Sequence, residues 1–69
     1  MTEHYRGHRI PLTRTRCWDA VIVEVATGIV MPTKATAQLS EGQFVAVARA
    51  CELIDLYIDG TPLERWHAA

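Results

Sequence analysis

Residues 39–60 read LSEGQFVAVARACELIDLYIDG, and this stretch decides the architecture. It opens on a helix-start signature. Ser40 is placed as N-cap with Gln43 at N3 as its capping-box partner, and Leu39 and Phe44 stand at the staple positions. Gly60, with Pro62 just beyond, supplies the stop. A helix over about 41–59 follows, and Gly42 in its first turn weakens it only slightly. Projected at about 100° per residue, one side collects Leu53, Ala46, Tyr57, Ala50, Ile54 and Val47, with Ile58, Cys51 and Phe44 beside them. That apolar arc spans about 180°, wider than the ~100° stripe one packed helix needs.

The excess needs a cover. Thr61-Pro62-Leu63-Glu64 is a second N-cap signature, so a short turn over about 62–68 is placed to fold Leu63 and Trp66 back on the helix. A second subunit would serve equally, and a homodimer is expected. Ala46, Leu53, Leu56, Tyr57 and Trp66 are the expected protein-interface residues.

Upstream, three strands precede the helix. The clearest covers about 17–25, with Trp18, Ala20, Ile22 and Glu24 on one face and Cys17, Asp19, Val21, Val23 and Val25 on the other. Its middle is apolar on both faces, which reads as a central strand. A weaker strand covers about 5–12, with a bulge expected near Gly7. Pro11 cannot donate a ladder hydrogen bond, so this strand belongs at an edge or Pro11 at a bulge. Gly28 turns the chain into a third strand over about 29–36, which Pro32 interrupts. The expectation is a single α+β domain over 1–69: a three-stranded antiparallel sheet followed by one long helix on one face, βββα in two layers.

Composition agrees. The 69 residues are 49% hydrophobic and 22% charged, with a net charge of −1, as in a globular chain rather than a disordered one. A chain this short buries only about 60% of its unfolded surface and nets about 3–5 kcal/mol. Two cysteines build no disulfide framework, which again favours association as the supplement. The first residues contain no apolar signal segment, and no apolar run approaches the ~20 residues of a membrane span. A cytoplasmic protein without membrane contact is expected.

Charge is divided along the chain. Residues 1–16 hold Arg6, Arg9, Arg14 and Arg16 against Glu3, whereas residues 17–69 hold three cations against seven acids. The four arginines are therefore the candidate nucleic-acid or anion site, with Tyr5 or Trp18 available for stacking. The plainer reading is that they keep a sheet edge soluble.

Catalysis finds little footing. His4 and His8 lie about 13 Å apart if the segment is a strand, so no metal site forms from them. Cys51 falls on the apolar arc, where burial silences a thiol. Asp55 and Asp59 form an acidic stripe of the kind usually solvated. No catalytic residue, metal or cofactor is expected.

Tyr5-Arg6-Gly7-His8-Arg9-Ile10, the Trp18 strand, the Gly28 turn, and Val47-Ala48-Arg49-Ala50 with Ile54-Asp55 together resemble small bacterial HicB-like domains. The likeness covers most of residues 5–59 and rests on pattern and spacing. It implies a truncated ribonuclease-H-like βββα unit and an antitoxin-like module that dimerises and binds a small toxin. The functional expectation is therefore a small non-catalytic protein-interaction module. The alternative is a nucleic-acid-binding module using the arginine-rich first strand and turn.

Overall fold

A computed structural model describes residues 2–60 of the chain. The expected turn at 62–68, with Leu63 and Trp66, lies outside the described residues. Five strands precede one helix: β1 Thr2–Tyr5, β2 His8–Arg14, β3 Cys17–Ala20, β4 Val23–Glu24, β5 Ala35–Gln38 and α1 Gln43–Asp59. Every pairing is antiparallel, in the order β1-β2-β3-β5, with β4 also on β2. The helix lies across one face of the sheet, so the expected two-layer α+β architecture is what the chain adopts.

The first expected strand is really the end of a hairpin. Tyr5 pairs with His8, leaving the two-residue loop Arg6-Gly7. Both loop residues have positive φ, 47° and 78°, which is the signature of a type I′ turn matched to the twist of its strands. A Cβ added at Gly7 would meet nothing within 4 Å. Gly7→Ala therefore costs only the left-handed backbone penalty, about 1–2 kcal/mol. The check is urea denaturation, and an unchanged midpoint would contradict the turn assignment.

Pro11 sits in a central strand, not at an edge. Thr2 of β1 flanks it on one side. On the other, the Val21 N–H donates to the Pro11 carbonyl at 3.1 Å. The return bond is missing because proline has no N–H. That gap explains why one long partner of β2 appears as two pieces, β3 and β4, in the same register: Leu12 faces Ala20 and Arg9 faces Val23.

The third expected strand is displaced. Val30 bridges Val23, and the Met31 N–H donates to Ile22 O at 2.9 Å, so the chain begins to pair where expected. It then leaves the ladder around Pro32 and rejoins with Ala35 opposite Ala20. Two residues lie between Ala20 and Val23, whereas four lie between Val30 and Ala35, so two extra residues loop out. Proline cannot continue the ladder, and the loop forms at it.

The helix ends at Gly60, φ 82°, as expected. Its start is different. Gly42 is the N-cap residue, with φ 90° and no side-chain cap, and Ser40 caps nothing. Glu41 has been drawn away: its carboxylate accepts the Gln38 N–H at 2.8 Å and binds Arg49. Leu39 and Phe44 both remain exposed, so no staple closes.

The core is small. Ile10, Ile22 and Ile54 are its largest fully buried side chains. Alanines fill most of the rest, with Ala20, Ala35 and Ala37 on the sheet against Ala46 and Ala50 on the helix. Small residues on both layers let helix and sheet approach closely.

Candidate protein interface

The helix-facing side of the sheet follows from register: Glu3 opposite Ile10, Tyr5 opposite His8, and Ile10, Ala20, Ile22, Ala35 and Ala37 buried under α1. On the helix, Ala46, Ala50 and Ile54 point at this layer. Continued at about 100° per residue, the same arc carries Tyr57 and Ile58. Yet Tyr57 is 63% exposed and Ile58 43% exposed. The helix overruns the sheet, and its last turn presents core-facing side chains to solvent.

Other apolar groups gather at that end. The Val25 N–H donates to Gly7 O at 3.1 Å, which places the β4 loop beside the β1–β2 turn. Val25, Ile29 and Val30 are all more than half exposed. Ile29 stands on the helix side, bonded to Glu24, whereas Val30, opposite Val23, stands on the face away from the helix, and Val25 shares that face by alternation. His8 lies at the same end on the helix side. Its ring meets Tyr57 edge-on with centroids 6.4 Å apart, and it stands opposite Glu24 across the ladder. The ring is buried, and its Nδ1 lies 2.9 Å from the Arg6 carbonyl, so Nδ1 carries the proton and donates. Nε2 is buried and without a hydrogen-bond partner among the described residues.

The expected interface residues divide accordingly. Tyr57 and Leu56 are exposed and Leu53 is half-buried. Ala46 is fully buried and belongs to the helix–sheet contact, because its small side chain is what the close approach requires. Trp66 lies outside the described residues. Sequence reading missed Val25, Ile29 and Val30. The signal was there, in three apolar residues flanking a glycine turn: the expected second strand takes in Val25, and the expected third takes in Ile29 and Val30.

The arginines do not form one site. Arg6 donates through Nη1 to Asp55 at 2.8 Å and to Asp59 at 3.0 Å, and Tyr5 Oη donates to Asp55 at 3.0 Å. The acidic stripe is thus the counter-charge for the hairpin turn, and Arg6 is held by two carboxylates. The carboxylate hydrogen bond and burial hold the Tyr5 phenol above its ordinary value. Arg14 stacks over the half-buried Trp18 ring, 5.8 Å from its centroid. Arg9 pairs with His4 on the sheet face away from the helix, and Arg16 lies in the β2–β3 turn. The four therefore occupy different ends and faces.

Both cysteines are free and half-buried. Burial pushes both thiols up, with Asp19 hydrogen-bonded to Cys17 and Asp55 beside Cys51 adding to it, so neither is disposed to form a thiolate. Among the described residues no cluster of three His, Cys, Asp or Glu is placed to hold a metal, and no helix is long and apolar enough to cross a membrane.

Glu41 and Arg49 carry a pH dependence. The Arg49 guanidinium, and then the Gln38 N–H, hold the Glu41 carboxyl below its ordinary value. A depressed carboxylate contributes stability above its unfolded pKa of about 4.3, and that contribution disappears as pH falls through the folded value. Urea midpoints of the protein and of Glu41→Gln should differ at pH 7 and converge toward pH 3. A constant difference would remove the ionic part of this contact.

Compared with known proteins, the chain matches no family model, no curated protein and no solved structure.

Proposed function

We propose that the protein is a small non-catalytic interaction module of the cytoplasm that pairs with a second copy of itself through the overhanging end of α1 and the β4 loop. The observation that carries this reading is the exposure of Tyr57 and Ile58 on the core-facing arc of the helix. Large apolar side chains left exposed on that arc, with exposed Ile29 on the same side of the sheet, form a surface of the kind that marks association. A core built mostly of alanines gives little stability alone, and burying this patch would supplement it. The resemblance to HicB-like domains points the same way and extends the reading to a small toxin as a further partner. Nucleic-acid binding finds less support, because Arg6 is neutralised by Asp55 and Asp59 and the other three arginines are dispersed.

Light scattering over a concentration series tests the pairing. The expected result is twice the 7.7 kDa chain mass at high concentration, and the monomer mass for Tyr57→Asp with unchanged circular dichroism. A monomer at every concentration, or a dimer untouched by Tyr57→Asp, would overturn it.

A further inference from the structure

The two edges of the sheet are treated differently. At β5 the outward groups belong to Thr36 and Gln38. Arg49 donates to the Thr36 carbonyl at 3.0 Å. The Glu41 carboxylate takes the Gln38 N–H, and the Glu41 N–H takes the Gln38 carbonyl at 3.0 Å. Three of the four outward backbone groups on that edge are thus occupied, and the Glu41–Arg49 ion pair closes over it. This is an edge protected against strand pairing.

At β1 nothing comparable exists. In the two-residue hairpin Tyr5 and His8 exchange ladder bonds, as do Glu3 and Ile10, so the N–H and C=O of Thr2 and His4 face outward. Those groups have no partner among the described residues. An unpaired edge is a template for another strand. The side chain beside it sets the occupant. Glu3 is half-buried on the helix-facing side, close enough to Cys51 to act on its thiol together with Asp55, and no ion pair reaches it among the described residues.

A second copy of β1 fits poorly. A two-fold pairing in which Thr2 and His4 exchange bonds sets Glu3 against the partner's Glu3, and like charges directly opposite are destabilising. The two-fold register centred on His4 sets Thr2 against the partner's Arg6, which its φ of 47° turns out of the strand, and the one centred on Thr2 leaves His4 with nothing to pair.

We propose that the outer edge of β1 receives an extended segment of another protein that places a lysine or arginine opposite Glu3. The segment pairs with the outward groups of Thr2 and His4, and its cation neutralises Glu3 from the same side of the sheet. This deepens the interaction-module reading but uses a surface other than the Tyr57 patch, so the two fail separately.

The test uses amide chemical shifts of the full chain titrated with the blocked hexapeptide Val-Lys-Val-Lys-Val-Lys and with its glutamine counterpart. Shifts should concentrate at residues 2–5 and leave Ala35–Gln38 still. The lysine peptide should bind about twofold to fivefold more tightly than the glutamine one, and Glu3→Gln should abolish that preference. His4→Pro removes one outward N–H without touching the β1–β2 ladder, so it should lose binding while the α1 resonances remain in place. Three results would overturn the proposal: equal shifts at both edges, a lysine preference that survives Glu3→Gln, or Thr2 and His4 amides already protected from exchange in the dilute free chain. Movement of those two amides with protein concentration alone would assign the edge to a second copy and would also overturn it.

Discussion

Ile54→Ala leaves the chain largely unfolded at 25 °C. Ile54 is one of three large side chains that are completely buried, and it is the one that α1 contributes. Removing its methyl groups in a packed interior costs about 2–5 kcal/mol, the transfer term plus the cavity. A domain of this size nets about 3–5 kcal/mol, so one such cavity consumes most of it. Five of the other seven buried residues in its cluster are alanines, whose short side chains cannot reach into the space. The measurement is urea denaturation followed by far-ultraviolet circular dichroism, where the variant should lack a folded baseline. Phe44→Ala is the control. Phe44 is 71% exposed, and its truncation should stay within about 0.5 kcal/mol. A two-state Ile54→Ala transition losing less than about 1 kcal/mol would contradict the packing described above.

Ala50→Leu is the opposite perturbation and should also be severe. Ala50 is fully buried between α1 and a sheet face that carries Ala20, Ala35 and Ala37. Extra methylene groups there have no void to enter. They must push the helix off the sheet or leave their rotamer wells, at about 1–3 kcal/mol or more. On the exposed side of the same helix, Ala48→Leu should change stability by less than about 0.5 kcal/mol. The pair separates steric exclusion from helix propensity, since both substitutions exchange the same residue types. Equal effects in thermal denaturation would show that the alanine layer is not tightly packed.

Much of the fold is legible in the chain because hydrophobic periodicity reports the two layers directly. The helix, its Gly60 stop, the Trp18–Ala20–Ile22 face and the Gly28 turn all follow from patterns that packing then uses. The misreadings share a cause, namely a local signal outbid by a distant partner. Ser40 and Gln43 have capping-box spacing, but Glu41 bonds to Gln38 and Arg49 instead, and the helix starts two residues later. Pro11 reads as an edge residue, yet one missing donor in a ladder of otherwise complete pairs is tolerated in the middle of the sheet. Arg6-Gly7 is a type I′ turn without the Asn or Asp that usually advertises one.

The interface is less legible than the fold. Ala46, Tyr57 and Ile58 share one helical arc, so periodicity treats them alike. They differ only in whether the sheet reaches far enough to cover them, which depends on strand length and helix register together. The arginines mislead for a related reason. Clustered in sequence, they alternate faces along β2 and its turns, and the first of them is bound by carboxylates about 50 positions away.

The closed β5 edge bears on how far this chain could polymerise. A sheet with two free edges has two valences and can grow without limit, copy upon copy, into a fibre. With one edge shut by Glu41 and Arg49, each molecule has a single strand-pairing valence, so any chain of sheets ends at its first addition. The clamp therefore works as a chain terminator, letting the protein keep an adhesive strand without becoming a monomer for amyloid growth.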